Sequence, residues 1–284
     1  MYVSNFRNEE ETKRKSRQNI KLGFIGLGNI ASAIIGGILK KELVSAQDIC
    51  GSDKSRAGCE KATEQFGITA CADNKKVAAE ADILFFAVKP IFLPEVMEEI
   101  KDVLREDTLI VSIVAGKSIA FMEEGLGGKA RKIVRCMPNT PALVGEGCTG
   151  VCANENVSAL EMEKVLALLG SFGVAQEVPE RLMDAVVGVS GSSPAYVFMF
   201  IEAMADAAVA AGMPRSQAYT FAAQAVLGSA KMVLETGKHP GELKDMVCSP
   251  GGTTIEAVKV LENKGFRAAV MEAMDACVEK SKNL

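Results

Sequence analysis

The sequence predicts an α/β domain built on a mostly parallel sheet, followed by an all-α domain. Three observations carry that prediction. Apolar runs of strand length alternate with helical patterns through the first half, a glycine-rich turn follows the first run, and strand character stops at Leu182. A chain of 284 residues with 48% hydrophobic content has enough apolar side chains for two cores. The expected division is an extension at 1–19, the α/β domain at 20–180 and the helical domain at 181–284.

The extension is highly charged and lacks an apolar core, so it is read as disordered and outside the chemistry. Glu9, Glu10 and Glu11 speak against a mitochondrial presequence. Ile20 to Ile25 then reads as a buried strand and runs into Gly26-Leu27-Gly28-Asn29-Ile30-Ala31, a G-x-G-x-x-G/A turn. Gly26 permits the tight turn, Gly28 lets the backbone approach a pyrophosphate, and Ala31 lets helix and strand pack closely. Ile34, Ile35, Ile38 and Leu39 recur at helical spacing. This strand–turn–helix context predicts a Rossmann-like dinucleotide site, the alternative being a glycine-rich turn that binds nothing.

The next strand, Asp48 to Gly51, ends at Ser52-Asp53-Lys54-Ser55-Arg56. Asp53 stands where an acid would hold the ribose 2′-hydroxyl of NADH. Lys54, Arg56 and the two serines would instead neutralise and hydrogen-bond the 2′-phosphate of NADPH. Both signals are present, and NADPH is the preferred reading over NADH; a solvated charged turn is the plain alternative.

Ile83 to Val88 and Leu109 to Val114 are continuous apolar runs of the kind found in central parallel strands. Shorter strands are expected at Gly67–Ala70, Ile133–Met137, Thr149–Ala153 and Val174–Val178, with an amphipathic helix over Ser158–Leu169. Beyond Leu182 the helices break at Gly191–Pro194, Gly212–Pro214, Gly237–Gly241 and Ser249–Gly252. Small residues such as Ala203, Ala207 and Ala211 let these helices approach closely and bury more surface than one protomer covers. A homodimer, or a higher oligomer of dimers, is therefore expected, against a monomer with an ordinary core.

The formal net charge of −4 argues against nucleic acid as a partner. Eight cysteines occur without a CxxC pair beside the single histidine, His239, so neither a metal site nor a disulfide is expected. Scattered thiols of this kind read as reduced, in a cytoplasm. No membrane span is expected, because Glu202 and Asp206 interrupt the most apolar run, Tyr196 to Ile201, which reads as a packed core helix.

Near the C-terminus, Ser249-Pro250-Gly251-Gly252-Thr253-Thr254-Ile255 reads as the start of a helix. Thr253 stands three residues before Glu256, the spacing of a capping box. The first amides of a helix have no internal partners and attract anions. Gly251 and Gly252 carry no side chain that would keep a small carboxylate from those amides, and Thr254 adds a hydroxyl beside it. The alternative is a helix cap that touches nothing else.

Three loops complete the pattern. Ala87-Val88-Lys89-Pro90 ends a central strand, Met137-Pro138-Asn139-Thr140-Pro141 ends another, and Ser190-Gly191-Ser192-Ser193-Pro194-Ala195-Tyr196 opens the first long helix. With the glycine-rich turn, Arg135-Cys136, His239-Pro240-Gly241, Leu243-Lys244-Asp245 and the Ser249–Ile255 segment, they make the chain resemble the pyrroline-5-carboxylate reductase family from about Lys21 onward.

The resemblance implies reduction of 1-pyrroline-5-carboxylate to L-proline with hydride from NADPH or NADH. It implies cofactor contacts at Gly26, Gly28, Asn29 and Ile30, at Ser52, Asp53, Lys54 and Asn74, at Ala87, Val88, Lys89 and Pro90, and at Val114, Ala115 and Asn139. It implies substrate contacts at Ser249, Gly251, Gly252, Thr253 and Thr254, with the Thr254 hydroxyl serving the imine nitrogen. No lysine, histidine or carboxylate is demanded as a proton-transfer group, and His239 reads as a helix cap. Ser193 stands where the family carries glycine, and Met246 replaces a residue that is polar in some members. Other readings are a reductase of another cyclic imine and a nucleotide sensor without turnover. A hydroxy-acid dehydrogenase would need a lysine on the long helix, and Tyr196 to Met204 has none.

Overall fold

The computed structural model describes residues 20–128 and 130–283, so the segment expected to be a disordered extension lies outside the described residues. Two compact units form: one runs to Gly191 and regains the chain from Lys280, and the other spans Ser192–Glu279.

In the first unit, eight strands form one sheet in the order β3-β2-β1-β4-β5-β6-β7-β8. They are β1 (Leu22–Ile25), β2 (Ile49–Ser52), β3 (Thr69–Cys71), β4 (Ile83–Phe86), β5 (Leu109–Ser112), β6 (Lys132–Met137), β7 (Gly147–Ala153) and β8 (Gly173–Glu177). β1 to β6 pair in parallel, β7 runs antiparallel to β6, and β8 is parallel to β7. Chain order reverses beside β1, where Leu22–Ile25 pairs with Ile49–Ser52 on one side and Ile83–Phe86 on the other. Ligands bind at such a switch point, outside the C-terminal ends of the strands.

The central strands β1, β4 and β5 are buried along their whole length because both faces of the sheet are covered there. Successive side chains alternate between two cores. Phe24, Ile83 and Phe85 pack on one face with Ile34, Ile35 and Ile38 of α1 (Asn29–Lys40). Ile25, Leu84 and Phe86 pack on the other with Val96, Met97 and Ile100 of α4 (Leu93–Ile100). The Phe24 and Phe85 rings stack at 4.6 Å, an arrangement that contributes about 1 kcal/mol beyond their burial. Between these helices, α2 (Arg56–Phe66) is capped by Ser55 and α3 (Asn74–Glu80) by Asp73. After α5 (Ile119–Gly125), α6 (Ala159–Leu169) starts with a complete capping box of Ser158 and Glu161. Each such cap stabilises its helix by about 1 kcal/mol.

A short α7 (Met183–Val186) leads into a π-helical turn at Val187–Gly191. The second unit then contains α8 (Ser193–Ala210), α9 (Arg215–Thr236), α10 (Pro240–Val247), α11 (Thr253–Asn263) and most of α12 (Phe266–Lys282). Ser193 opens α8 without positive φ, so the serine fits where glycine is usual in the resembled segment.

One expectation is corrected here. The run Tyr196–Ile201 is not packed in the protomer's core: Phe198 and Met199 are 62% and 69% exposed, and Ala205 is the buried residue of α8. The reason is that the apolar residues of α8 spread around most of the helix and are not gathered on one face, so packing against α9 leaves many of them uncovered. Among the described residues, the stretch 180–210 is also long and apolar enough to cross a membrane by length and composition alone.

Candidate active site

At the switch point the ends of β1, β2 and β4 enclose a cleft of about 280 Å³. Its floor is the glycine-rich turn. Gly26 has φ +97°, and a Cβ there would lie 2.6 Å from the Ala87 carbonyl oxygen, so the turn and the end of β4 can only meet this closely through glycine. A Cβ on Gly28 would meet nothing within 4 Å, which leaves the start of α1 open to the cleft. Gly28 caps α1 without any side-chain hydrogen bond, and Asn29 and Ile30 form its first turn. Exposed amides at a helix start beside a side-chain-free turn fit a pyrophosphate.

The far wall comes from Ser52, Asp53, Lys54 and Asn74, and the near wall from Ala87, Val88 and Lys89. Asp53 accepts the Leu27 amide on one oxygen (3.0 Å) and the Ser55 amide on the other (2.8 Å). Lys54 lies 5.1 Å from the Phe92 ring centroid and 3.1 Å from Glu95. The buried Ser52 hydroxyl donates to Asn74 Oδ1 at 2.7 Å, and Asn74 Nδ2 donates to Glu99 Oε2 at 2.7 Å.

The remaining cofactor candidates do not line this cleft. Pro90 starts a 3-10 turn beyond Lys89, and Val114 and Ala115 follow the end of β5. The Asn139 amide is engaged on both sides: Oδ1 accepts the Cys148 amide (2.8 Å) and Nδ2 donates to the Ser190 carbonyl (3.1 Å). It thereby ties the end of β6 to the start of β7 and to the π-helical turn. Three lining residues escaped the sequence reading as contacts, Phe92, Val96 and Ile25, which reads there only as part of the first strand. The aromatic residue shortly after Lys89-Pro90 was the available signal for the first.

In the helical unit, Ser249 to Thr254 form the entry to α11. Gly251 adopts φ +68°, and Gly252 is extended and donates its amide to the Ser249 carbonyl at 3.0 Å. A Cβ on Gly252 would lie 2.4 Å from Ser249 Oγ, so these two residues are in close contact. The expected capping box does not form. The N-cap is Gly252, without a side-chain bond, and Thr253 is already the first helical residue. The left-handed Gly251 turns the chain early enough for the helix to begin one residue sooner. The first amides of α11 are therefore not covered by a capping side chain, and the half-buried Thr254 stands in that first turn. His239 does cap α10, its Nδ1 accepting the Gly241 amide at 3.1 Å.

Ser192, Tyr196 and Cys277 meet in the same unit. The Cys277 thiol donates to Ser192 Oγ at 3.1 Å. Burial, followed by the hydrogen bond with Cys277, pushes the Tyr196 hydroxyl above its ordinary pKa.

Known proteins with this arrangement are consistent with one another. Residues 180–284 match the family model for pyrroline-5-carboxylate reductase dimerisation. Residues 21–116 match that for NADP oxidoreductase, coenzyme F420-dependent. The pyrroline-5-carboxylate reductase of Escherichia coli K12 is 56% identical over 264 residues, covering 93% of this chain and 98% of the relative. That of Methanosarcina acetivorans is 44% identical over 94% of the chain and 98% of the relative. Among solved structures, the Coxiella burnetii enzyme superposes with a TM-score of 0.88 at 35% identity, covering 94% of this chain and 98% of that one. The Plasmodium falciparum pyrroline carboxylate reductase with NADP bound gives 0.84 at 36% identity, covering 94% and 98%. A nicotinamide cofactor fits the cleft, and the chain belongs to the pyrroline-5-carboxylate reductase family.

Proposed function

We propose that this protein reduces 1-pyrroline-5-carboxylate to L-proline, as the last step of proline biosynthesis, in the cytoplasm and as a homodimer or an oligomer of dimers. NADPH is the preferred cofactor, with NADH accepted. The uncapped start of α11 carries the reading for the substrate. The amides of its first turn at Thr253 and Thr254 hold the substrate carboxylate, helped by the helix dipole, and Ser249, Gly251 and Gly252, whose own amide is turned to the Ser249 carbonyl, shape the approach.

Bound reduced nicotinamide supplies the hydride. Adding it to the imine carbon is favourable only when the nitrogen is protonated or strongly hydrogen-bonded, because negative charge otherwise accumulates there. The Thr254 hydroxyl supplies that hydrogen bond. The cyclic imine is basic enough to arrive partly protonated, so positioning and electrostatics account for most of the catalysis. On the cofactor side, Gly26 and Gly28 with the start of α1 hold the pyrophosphate, and Ser52 to Lys54 with Asn74 hold the adenosine ribose. Ala87 to Pro90, Val114, Ala115 and Asn139 form the nicotinamide side.

The carboxylate site is tested by comparing 1-pyrroline-5-carboxylate with 1-pyrroline, which lacks the carboxylate. A KM for 1-pyrroline higher by roughly 30- to 150-fold is expected, since a charge-assisted bond to a helix start is worth roughly 2–3 kcal/mol. Equal KM values would remove the anion site from the account. The exposed apolar surface of α8 supports self-association, because Phe198 and Met199 are left to be covered by a second copy.

A further inference from the structure

We propose that Glu95 is a specificity-determining residue that restrains the use of NADPH by occupying Lys54, the lysine that would meet the 2′-phosphate. The inference rests on the reading of the switch-point cleft as the dinucleotide site. Lys54 lines that cleft, and Glu95, on α4, does not. The Lys54 ammonium donates to both carboxylate oxygens of Glu95, at 3.1 and 3.2 Å. It lies 5.1 Å from the centroid of the Phe92 ring, which is itself part of the cleft wall. Both charged side chains are 65% exposed, so the pair is open to a ligand and is not sealed in the protein.

The rest of the segment after β2 leaves the phosphate to Lys54. The Ser52 hydroxyl is buried and donates to Asn74. Asp53 is an anion, and each of its oxygens already accepts a backbone amide. The Ser55 hydroxyl caps α2. Arg56 does not line the cleft, and its guanidinium is held by Glu60 at 2.8 Å. Lys89, the other lysine of the cleft, belongs to the near wall after β4. A 2′-phosphate at the far wall therefore has Lys54 as its cation, and Lys54 is already paired. The phosphate can take the ammonium from Glu95, which gives up the existing pair. It can instead share it, since an ammonium carries three protons, but then two anions divide one positive charge. Either way Glu95 opposes the phosphate. A ribose 2′-hydroxyl is neutral and meets neither cost.

The test isolates the 2′-phosphate by calorimetric titration of 2′,5′-ADP and 5′-AMP, the adenosine ends of NADPH and NADH, with kcat/KM for both nucleotides alongside. Glu95→Gln should tighten 2′,5′-ADP roughly two- to fivefold, the scale of one exposed ion pair, and raise the NADPH:NADH ratio of kcat/KM to the same extent. Binding of 5′-AMP should not change. In a Lys54→Met background, which keeps an apolar stem without the charge, most of that gain should disappear. Weaker 2′,5′-ADP binding in Glu95→Gln would mean that Glu95 aims Lys54 at the phosphate, and would overturn the proposal. So would an unchanged affinity, a matching change for 5′-AMP (the mark of a merely structural effect) or an undiminished gain without Lys54. Failure of the wild-type protein to bind either NADPH or NADH would overturn the cleft reading together with this inference.

Discussion

The Asp53 carboxylate accepts the backbone amide of Leu27 at 3.0 Å, so the acid at the end of β2 is tied to the glycine-rich turn that follows β1. Its other oxygen accepts the Ser55 amide at 2.8 Å. An acid at this position is ordinarily read as a ribose ligand. Here it also fixes the turn on which any dinucleotide would rest.

Asp53→Ala should therefore weaken NADPH and NADH together, by about tenfold each, as expected for the loss of a charge-assisted hydrogen bond that orders the turn. Nucleotide titration of the variant checks this. Selective loss of NADH with NADPH intact would assign Asp53 to the ribose alone.

Glu161 connects stability to pH. Burial alone would raise its carboxyl pKa, but hydrogen bonds from Lys132 and from the Ser158 hydroxyl and amide outweigh burial and hold it at about 2, against an ordinary 4.5. A depressed folded value means that the stabilisation is complete above about 4.5 and fades as pH falls towards 2. Glu161→Gln should cost about 1 kcal/mol at neutral pH through the weakened capping box. Its stability should approach that of the wild type only as the pH falls to about 2. Denaturant titrations across this range would show the two curves meeting, and a constant gap would exclude the linkage.

How much of this was legible beforehand differs by element. The glycine-rich turn, the central strands and the helix breaks were readable because local patterns of glycine, proline and apolar residues dictate them. The Ser52–Asn74–Glu99 chain was not readable, since its members come from three elements that only the sheet brings together. Thr253 shows a different limit: its spacing to Glu256 is right for a capping box, yet the φ of +68° at Gly251 starts the helix earlier. The exposed side of α8 failed as a core prediction because hydropathy records that a residue needs covering and is silent on which chain covers it.

Phe198→Glu combined with Met199→Glu should lower the oligomeric state while leaving nucleotide binding in the cleft close to wild type. Sedimentation velocity reads the first outcome and fluorescence titration the second. Unchanged sedimentation would show that this part of α8 faces no second copy.

Thr254→Ala should reduce kcat by about a hundred- to a thousandfold, the scale of one hydrogen bond made to developing charge, with nucleotide affinity unchanged. Thr254→Ser should recover most of the rate. Equal loss in both variants would point to packing of the Thr254 methyl group as the cause.

The most direct test of the account is the loss of reduced-nicotinamide absorbance on adding 1-pyrroline-5-carboxylate, with NADPH and NADH run in parallel and proline analysed as product. Rapid, substrate-dependent oxidation that yields L-proline is the predicted result. No oxidation with either nucleotide, in folded protein that still binds one of them, would contradict it and favour another cyclic imine or a sensing role.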